Sequence, residues 1–414
     1  MTSSPRILLV GGGRWGRVHA SVLMQILPAH AEILWVTRHN NSAAHTLANN
    51  PNHQVLVTVV DDIEQALSKK PNAATVVTAA HTHAKIAHAL LSRGIPTFVE
   101  KPLALSLRDA EELIALAQSR NVVLGVGLHL LFASYLHQFR SLWHARQVAK
   151  IRLFWCDSEL ENRYGEIKRL DMSVAKIHDV FPHIWAILRV LLPTEDVLVG
   201  KAESLTNGSA CLHMSAGITS VEALIHRRAA TRSRRVDIFF ADGGTAILDF
   251  TTEPGEIRID TLTVGGDPNW SQQPTPLAAE ITSFLLAIEN PKLATNLPCL
   301  AEKVIASVKG AELAAAQLAA IEAQKLALLL ADLTYPEEDS EVQSLLIDNL
   351  GPELNVLGIR IIDSIDQTRL LRASLHYLDK FEFDNGEDIF AALKEAIRKS
   401  NFLRQVVTAV HTGT

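Results

Sequence analysis

Short, almost wholly apolar runs alternate with stretches whose apolar residues recur every three or four positions through the first third of the chain. Residues 6–10 (RILLV) read as a buried strand, and residues 15–27 read as a helix. The same alternation predicts strands at 32–37, 74–78, 96–100 and 122–126, and helices at 61–69, 84–93 and 107–120. Strands that alternate with helices predict a doubly wound parallel sheet over residues 1–126. The pattern changes after Gly127. Segments 149–157, 197–205, 210–215, 219–227, 234–241, 244–250 and 256–264 read as strands, and Asp242-Gly243-Gly244 supplies a hairpin turn. A long apolar helical stretch at 171–192 interrupts them, and helices at 276–289 and 298–330 close the segment. Residues 127–330 are therefore expected to form an α+β domain with a mostly antiparallel open sheet. An acidic linker beginning at Tyr335 leads into residues 335–414, expected to be a small, mainly helical extension with one strand at 358–362.

Composition narrows the classes of function. With 414 residues, 48% hydrophobic and 20% charged, the chain is long and apolar enough for two or three packed domains. A net charge of -6 and the lack of a long basic run give no reason to expect nucleic acid. Cys156, Cys211 and Cys299 are scattered, which suggests reduced thiols in the cytoplasm and no metal-finger site. No secretion signal and no apolar run of membrane-spanning length are expected.

The first chemical motif is Gly11-Gly12-Gly13-Arg14-Trp15-Gly16. It follows a strand, opens a helix and begins a βαβ series. Gly11, Gly13 and Gly16 permit a tight turn and bring backbone N–H groups close to a pyrophosphate, with Arg14 and Trp15 beside it. A dinucleotide is the expected ligand. The second strand ends Trp35-Val36-Thr37-Arg38, with no carboxylate for a ribose 2′-hydroxyl. Arg38 can instead meet a 2′-phosphate with its charged fork, and Thr37 adds a hydroxyl. NADP(H) is thus expected over NAD(H).

Two further segments are Pro96-Thr97-Phe98-Val99-Glu100-Lys101-Pro102-Leu103-Ala104 and His178-Asp179-Val180-Phe181-Pro182-His183. Lys101 falls just past the carboxyl end of a parallel strand, where open α/β sheets bind ligands. A cis bond at Pro102 would aim this lysine. Asp179 and His183 are four apart and share a helix face, which Lys176 also joins. Pro182 is expected to start that helix locally or to kink it. A separation of five positions from His178 to His183 does not make the usual same-face pair of metal ligands, so no metal site is expected.

With the glycine loop, these segments resemble the Gfo/Idh/MocA oxidoreductases, the glucose-fructose oxidoreductase and inositol dehydrogenase group. Thr78-Ala79-Ala80-His81-Thr82-His83 adds to the likeness, which runs from residue 5 to about 330. The resemblance implies a Rossmann domain and hydride transfer between a nicotinamide and a C=O or C=N carbon. It implies that Lys101 touches nicotinamide ribose and substrate, that His183 exchanges the proton, and that Asp179 supports it. It places Ala79, His81, Glu100 and Pro102 beside the cofactor, and it implies pairing of subunits through the open sheet.

The chain departs from sugar-acting relatives after the sixth strand, where Gly127-Leu128-His129-Leu130-Leu131-Phe132 has only His129 as a polar residue. His129 and Lys176 are the expected substrate contacts. Asn162, Arg163, Tyr164 and Lys168 form a polar loop that adds candidates. The loss of polar groups favours a small metabolite with few hydroxyls, such as a ketone, a modified sugar or a cyclic imine like those of the thiazolinyl imine reductases. A nucleotide-binding sensor or assembly protein without turnover is the alternative. In the tail, apolar residues from Leu345 to Ile397 recur at helix-like intervals and must be buried against the chain's own domains or a second subunit.

Overall fold

A computed structural model describes residues 4–37, 42–50, 53–158, 160–163, 166–169, 174–331, 341, 344, 345, 348, 349 and 400–412. The chain divides into two compact units. One holds residues 1–145, 181–195 and 265–312, and the other holds 146–180, 196–264 and the described residues from 313 onward.

The first unit is built on six strands: β1 (Arg6–Val10), β2 (Glu32–Val36), β3 (Leu56–Val60), β4 (Ala73–Val76), β5 (Thr97–Glu100) and β6 (Leu124–Gly127). Every neighbouring pair is parallel, in the order β3-β2-β1-β4-β5-β6. Helices α1 (Arg14–Ile26), α2 (Ser42–Ala48), α3 (Ile63–Ser68), α4 (Ala80–Ser92) and α5 (Leu107–Arg120) connect them. Central strands such as Leu8-Leu9 and Ile33-Leu34-Trp35 are closed to solvent, as helices on both faces require. The α5 ends follow local chemistry: Ser106 accepts from the Asp109 N–H, and Asn121 closes the helix in the left-handed region. The chain winds outward from β1 to β3, then returns to the other side of β1 at β4. This reversal opens a crevice at the carboxyl ends of β1 and β4. The periodicity left α2 and β3 unassigned. β3 is an edge strand whose Leu56 is exposed, and its run Val55-Leu-Val-Thr-Val-Val carries the β-branched signature.

After α6 (Ser134–Ser141), the second unit begins with β7 (Val148–Ser158). It continues through a small hairpin of β8 (Leu160–Arg163) and β9 (Glu166–Arg169), then α7 (Lys176–Leu191). There follow β10 (Val197–Ser204), β11 (Ala210–Ala216), β12 (Thr219–Ala229), β13 (Ser233–Phe240), β14 (Thr245–Asp249), β15 (Glu256–Ile259) and β16 (Leu262–Gly265). The eight-stranded sheet runs β10-β11-β12-β7-β13-β14-β15-β16, and its pairs are antiparallel except β7 with β12. Gly243, at φ +88°, makes the expected turn between β13 and β14. The single strand expected at 256–264 is two strands, because Asp260 adopts φ +52° and turns the chain.

Helices α8 (Pro276–Glu289), α9 (Pro291–Ala294) and α10 (Ala301–Ala331) follow, and α11 (Asn401–Thr412) lies near the end. Residues 301–328 of α10 are long and apolar enough to cross a membrane by length and composition, against the expectation of no such run. Part of that apolar surface is used internally: Val304, Val308, Ala314, Leu318 and Leu326 are all buried. In the tail, Leu345, Phe402, Leu403 and Val406 are buried. The expected strand at 358–362 and the apolar positions from Leu370 to Ile397 lie outside the described residues.

Candidate functional site

The glycine loop needs its glycines for stated reasons. Gly11 has φ +135°, and a Cβ there would collide with the Val77 carbonyl. A Cβ on Gly16 would collide with the Gly11 carbonyl, so this glycine lets α1 start tight against the turn. Gly13, by contrast, has open space where its side chain would be. It is the N-cap of α1 and offers no side chain to the first N–H groups of the helix. An uncapped helix start facing open space suits an anionic group. Trp35 donates from Nε1 to the Gly11 carbonyl at 2.8 Å and so ties β2 to the loop. Thr37 is buried, within contact reach of any side chain added at Gly12. These features fit a dinucleotide pyrophosphate. Arg38 lies outside the described residues.

A second helix start, that of α4, follows β4. Its N-cap is Ala79, again without a side-chain cap, and His81 is exposed there. His83, which is buried, faces the Pro102 carbonyl with Nδ1 at 2.8 Å and the Thr78 carbonyl with Nε2 at 2.9 Å. It thereby links this turn to the one after β5. The Lys101-Pro102 bond is cis.

Glu100 and Lys101 stand at the end of β5. Glu100 is buried and accepts from His19 Nε2 at 2.9 Å and from the Lys101 backbone N–H at 3.1 Å. Gly127 makes room for it, since a Cβ there would come within 2.9 Å of the carboxyl group. Burial opposes ionisation of Glu100. The His19 hydrogen bond and the charges of His19, His129 and Lys101 outweigh it, and the acid lies below its ordinary range. Glu280, on α8, behaves in the opposite way. Burial and the neighbouring Glu100 charge push it well above the carboxylate range. Its Oε1 accepts the Leu128 N–H at 2.6 Å, which anchors the turn that carries His129.

Rings of three candidate residues form a row in this unit. Trp15 lies 6.4 Å from His129 between centroids, and His129 lies 5.5 Å from His183. His183 belongs to the part of α7 that packs on α10, where Gly310 leaves space that the Phe181 ring needs. The helix does not start at Pro182. It runs unbroken from Lys176 to Leu191, and the proline costs it one backbone donor.

Asp179 and Lys176 fall in the second unit. Asp179 lies 3.9 Å from the buried Arg227. Lys176 is 2% exposed, and its ammonium donates to Glu322 at 2.6 Å, Gly208 O at 3.0 Å and Asp348 at 3.2 Å. Three donors meet three acceptors, which leaves none for a substrate. The expectation that Lys176 contacts substrate is corrected on this ground: helical spacing gave its face but not its partners. Of the polar loop, Tyr164 lies outside the described residues, and β8 and β9 carry Asn162, Arg163 and Lys168.

His19, His83, Glu280 and Arg227 were not singled out from sequence. Glu280 left a signal, as a lone charge in the apolar run Pro-Leu-Ala-Ala-Glu-Ile. His19 did as well, one helical turn beyond Trp15 and Gly16.

Comparison with known proteins agrees with this geometry. Residues 5–128 match the model of the Gfo/Idh/MocA oxidoreductase family, NAD-binding Rossmann fold. The UDP-N-acetylglucosamine 3-dehydrogenase of Acidithiobacillus ferrooxidans is 26% identical over 293 residues, which cover 68% of this chain and 87% of that enzyme. Its crystal structure has a TM-score of 0.58 at 22% identity, over 77% of this chain and 99% of that one. GenD2 from gentamicin A biosynthesis, solved with NAD, gives a TM-score of 0.61 at 18% identity, over 77% and 95% of the two chains. Biliverdin reductase of Synechocystis sp. PCC 6803, solved with biliverdin and NADP+, gives 0.58 at 15%, over 76% and 98%. At these identities the structural likenesses speak for the fold.

Proposed function

From a chain whose residues 5–128 belong to the Gfo/Idh/MocA oxidoreductase family, with its NAD-binding Rossmann fold, we propose an NADP(H)-dependent oxidoreductase. Its substrate is a small metabolite with a ketone, a modified sugar or a cyclic imine as the reacting group. The observation that carries the reading is the row of Trp15, His129 and His183 rings in the unit whose β5 ends in Glu100, with Lys101 next in the chain. It runs from the glycine-loop helix, where a cofactor phosphate would sit, to a histidine suited to proton exchange. The nicotinamide, when bound, exchanges the hydride with a C=O or C=N carbon.

The remaining chemistry belongs to the chain. Lys101 sets a positive charge at the carboxyl end of β5, where it stabilises charge growing on the substrate heteroatom. Glu100, held ionised, accepts the Lys101 backbone N–H and so fixes the turn that carries the lysine. His183 delivers or removes the proton at the same heteroatom, with Asp179 one helical turn before it. His129 lies between the cofactor helix and His183 and lines the substrate side. Gly11, Gly13, Arg14, Trp15 and Gly16 hold the pyrophosphate, and Ala79, His81 and Pro102 border the nicotinamide half. Thr37 and Arg38 read the ribose 2′-phosphate.

The 2′-phosphate reading is tested by titrating NADPH and NADH against wild type and Arg38→Ala. NADPH is expected to bind more tightly, and the variant to lose on the order of 1.5–3 kcal/mol for NADPH alone. Equal affinity of wild type for both cofactors would refute it. A consumption screen over ketones, ketosugars, cyclic imines and UDP-N-acetylhexosamines finds the substrate. Cofactor binding with no turnover on any of them favours a nucleotide sensor. The reading takes the working form as a cytoplasmic homodimer, which light scattering tests by mass.

A further inference from the structure

The second unit contains a cavity of about 190 Å³ that the reaction above does not use. It is formed by the first turn of α7, the second half of α10 and α11, with Asp348 and Asn349 at one side. Its size suits one small molecule, since a cavity of ~150 Å³ admits benzene. Ala315, Leu318, Ala319 and Phe402 give it apolar walls.

Its polar groups are of two kinds. One is the closed cluster described above, in which a single ammonium, Lys176, faces the carboxyls of Glu322 and Asp348. Both Glu322 oxygens already accept, one from Lys176 and the other from Asn349 at 2.6 Å, which is the pattern of an ionised acid. Among the described residues, two carboxyl groups face one ammonium, and burial raises Glu322 from its ordinary range, so a second cation at this point is favoured. The other kind consists of solvent-inaccessible atoms with no hydrogen bond to any described residue. These are His178 Nδ1 on α7 and Gln405 Oε1 on α11. Burial holds His178 down at about 4, so the ring is neutral near pH 7 and Nδ1 can serve as an acceptor. Gln405 Oε1 can only accept. An unpaired buried acceptor costs roughly as much as a lost hydrogen bond, so a donor at this point is favoured.

We propose that this cavity is a binding site for a small primary ammonium ion with an apolar body. The ammonium donates to Gln405 Oε1 and His178 Nδ1 and balances the second carboxyl group, and the hydrocarbon part rests on Leu318 and Phe402. A carboxylate ligand would meet like charge at Glu322 and Asp348. A neutral alcohol would supply one donor without the charge.

The probes are cyclohexylammonium, cyclohexanol and cyclohexanecarboxylate, which share one shape. Isothermal titration of the full chain at pH 7.5 is expected to show one site for the ammonium ion and at least tenfold weaker binding of the other two. Gln405→Leu and His178→Phe are each expected to weaken the ammonium ion at least tenfold. Lys101→Ala, in the other unit, is expected to leave it unchanged. Equal binding of amine and alcohol to wild type, no amine binding at millimolar concentration, or full binding by folded Gln405→Leu and His178→Phe would each overturn the proposal. If circular dichroism shows a variant to be unfolded, the selectivity of wild type among the three probes decides.

Discussion

Lys101 and Lys176 are both lysines close in sequence to an acid that matters, and they live in opposite environments. Lys101 follows the last residue of a parallel strand, is only half-buried, and has an ionised Glu100 beside it in sequence. Lys176 begins a helix in the other unit and spends all three protons on Glu322, Asp348 and the Gly208 carbonyl. Burial opposes its charge, but Asp348 and Glu322 outweigh it and hold the ammonium above its ordinary range. The first arrangement sets a lysine just past the carboxyl end of a parallel strand, where open α/β sheets bind ligands. The second consumes one to hold helices and a turn together. The partners of Lys176 are set by tertiary contacts, which spacing along a helix does not report.

The contrast predicts opposite phenotypes. Lys101→Ala and His183→Ala are expected to stay folded and to lose about 10²–10⁴-fold in kcat, the usual contribution of a positioned acid or base. Near-normal turnover by either folded variant would remove it from the mechanism. Lys176→Met is expected to do the reverse. It leaves two buried carboxylates without their counter-ion, at a cost of about 3–5 kcal/mol in urea unfolding. Residual folded protein should still bind NADPH normally. A Lys176→Met protein of wild-type stability but impaired substrate affinity would return this lysine to the substrate site.

The two regions also differ in how legible they were. The parallel sheet could be read because its strands are buried on both faces and its helices are amphipathic. The glycine loop could be read because Gly11 and Gly16 occupy positions that no side chain tolerates. Lys101 and His183 were reachable from their motifs, and the structure sets His183 in a ring row with His129 and Trp15. The distant partners of Glu100 and of the turn that carries His129 were not reachable. His19 meets Glu100 from 81 residues away, and Glu280 meets Leu128 from 152 away. Such pairings depend on topology that no local period encodes. The Lys176 cluster fails for the same reason, since Glu322 and Asp348 are 146 and 172 residues distant. Edge strand β3 and the break at Asp260 were missed for a local reason: a half-exposed edge strand lacks the fully buried run of its neighbours, and a two-residue turn leaves a weak pattern.

A smaller effect separates the regions by pH. His178 is held at about 4 by burial, below its ordinary value of 6.5. The unfolded chain therefore takes up a proton at this site before the folded one does. The stabilisation is complete above pH 6.5 and is lost as pH falls toward 4. Its full size is up to about 3 kcal/mol. In urea unfolding at pH 7.5, 5.5 and 4.5, His178→Leu is expected to lack this part of the pH dependence. Parallel curves for the two proteins would show that His178 is not the group responsible.

The central claim is that this chain moves a hydride, and deuterium transfer tests it most directly. Enzyme is incubated with NADPH deuterated at C4, on each face in turn, and with the substrate found in the consumption screen. Mass spectrometry then reads the product. One deuterium per product molecule is expected from one face only, with loss of transfer in Lys101→Ala and His183→Ala. Tight NADPH binding with no deuterium in any product, from either face and across the whole substrate panel, would contradict it.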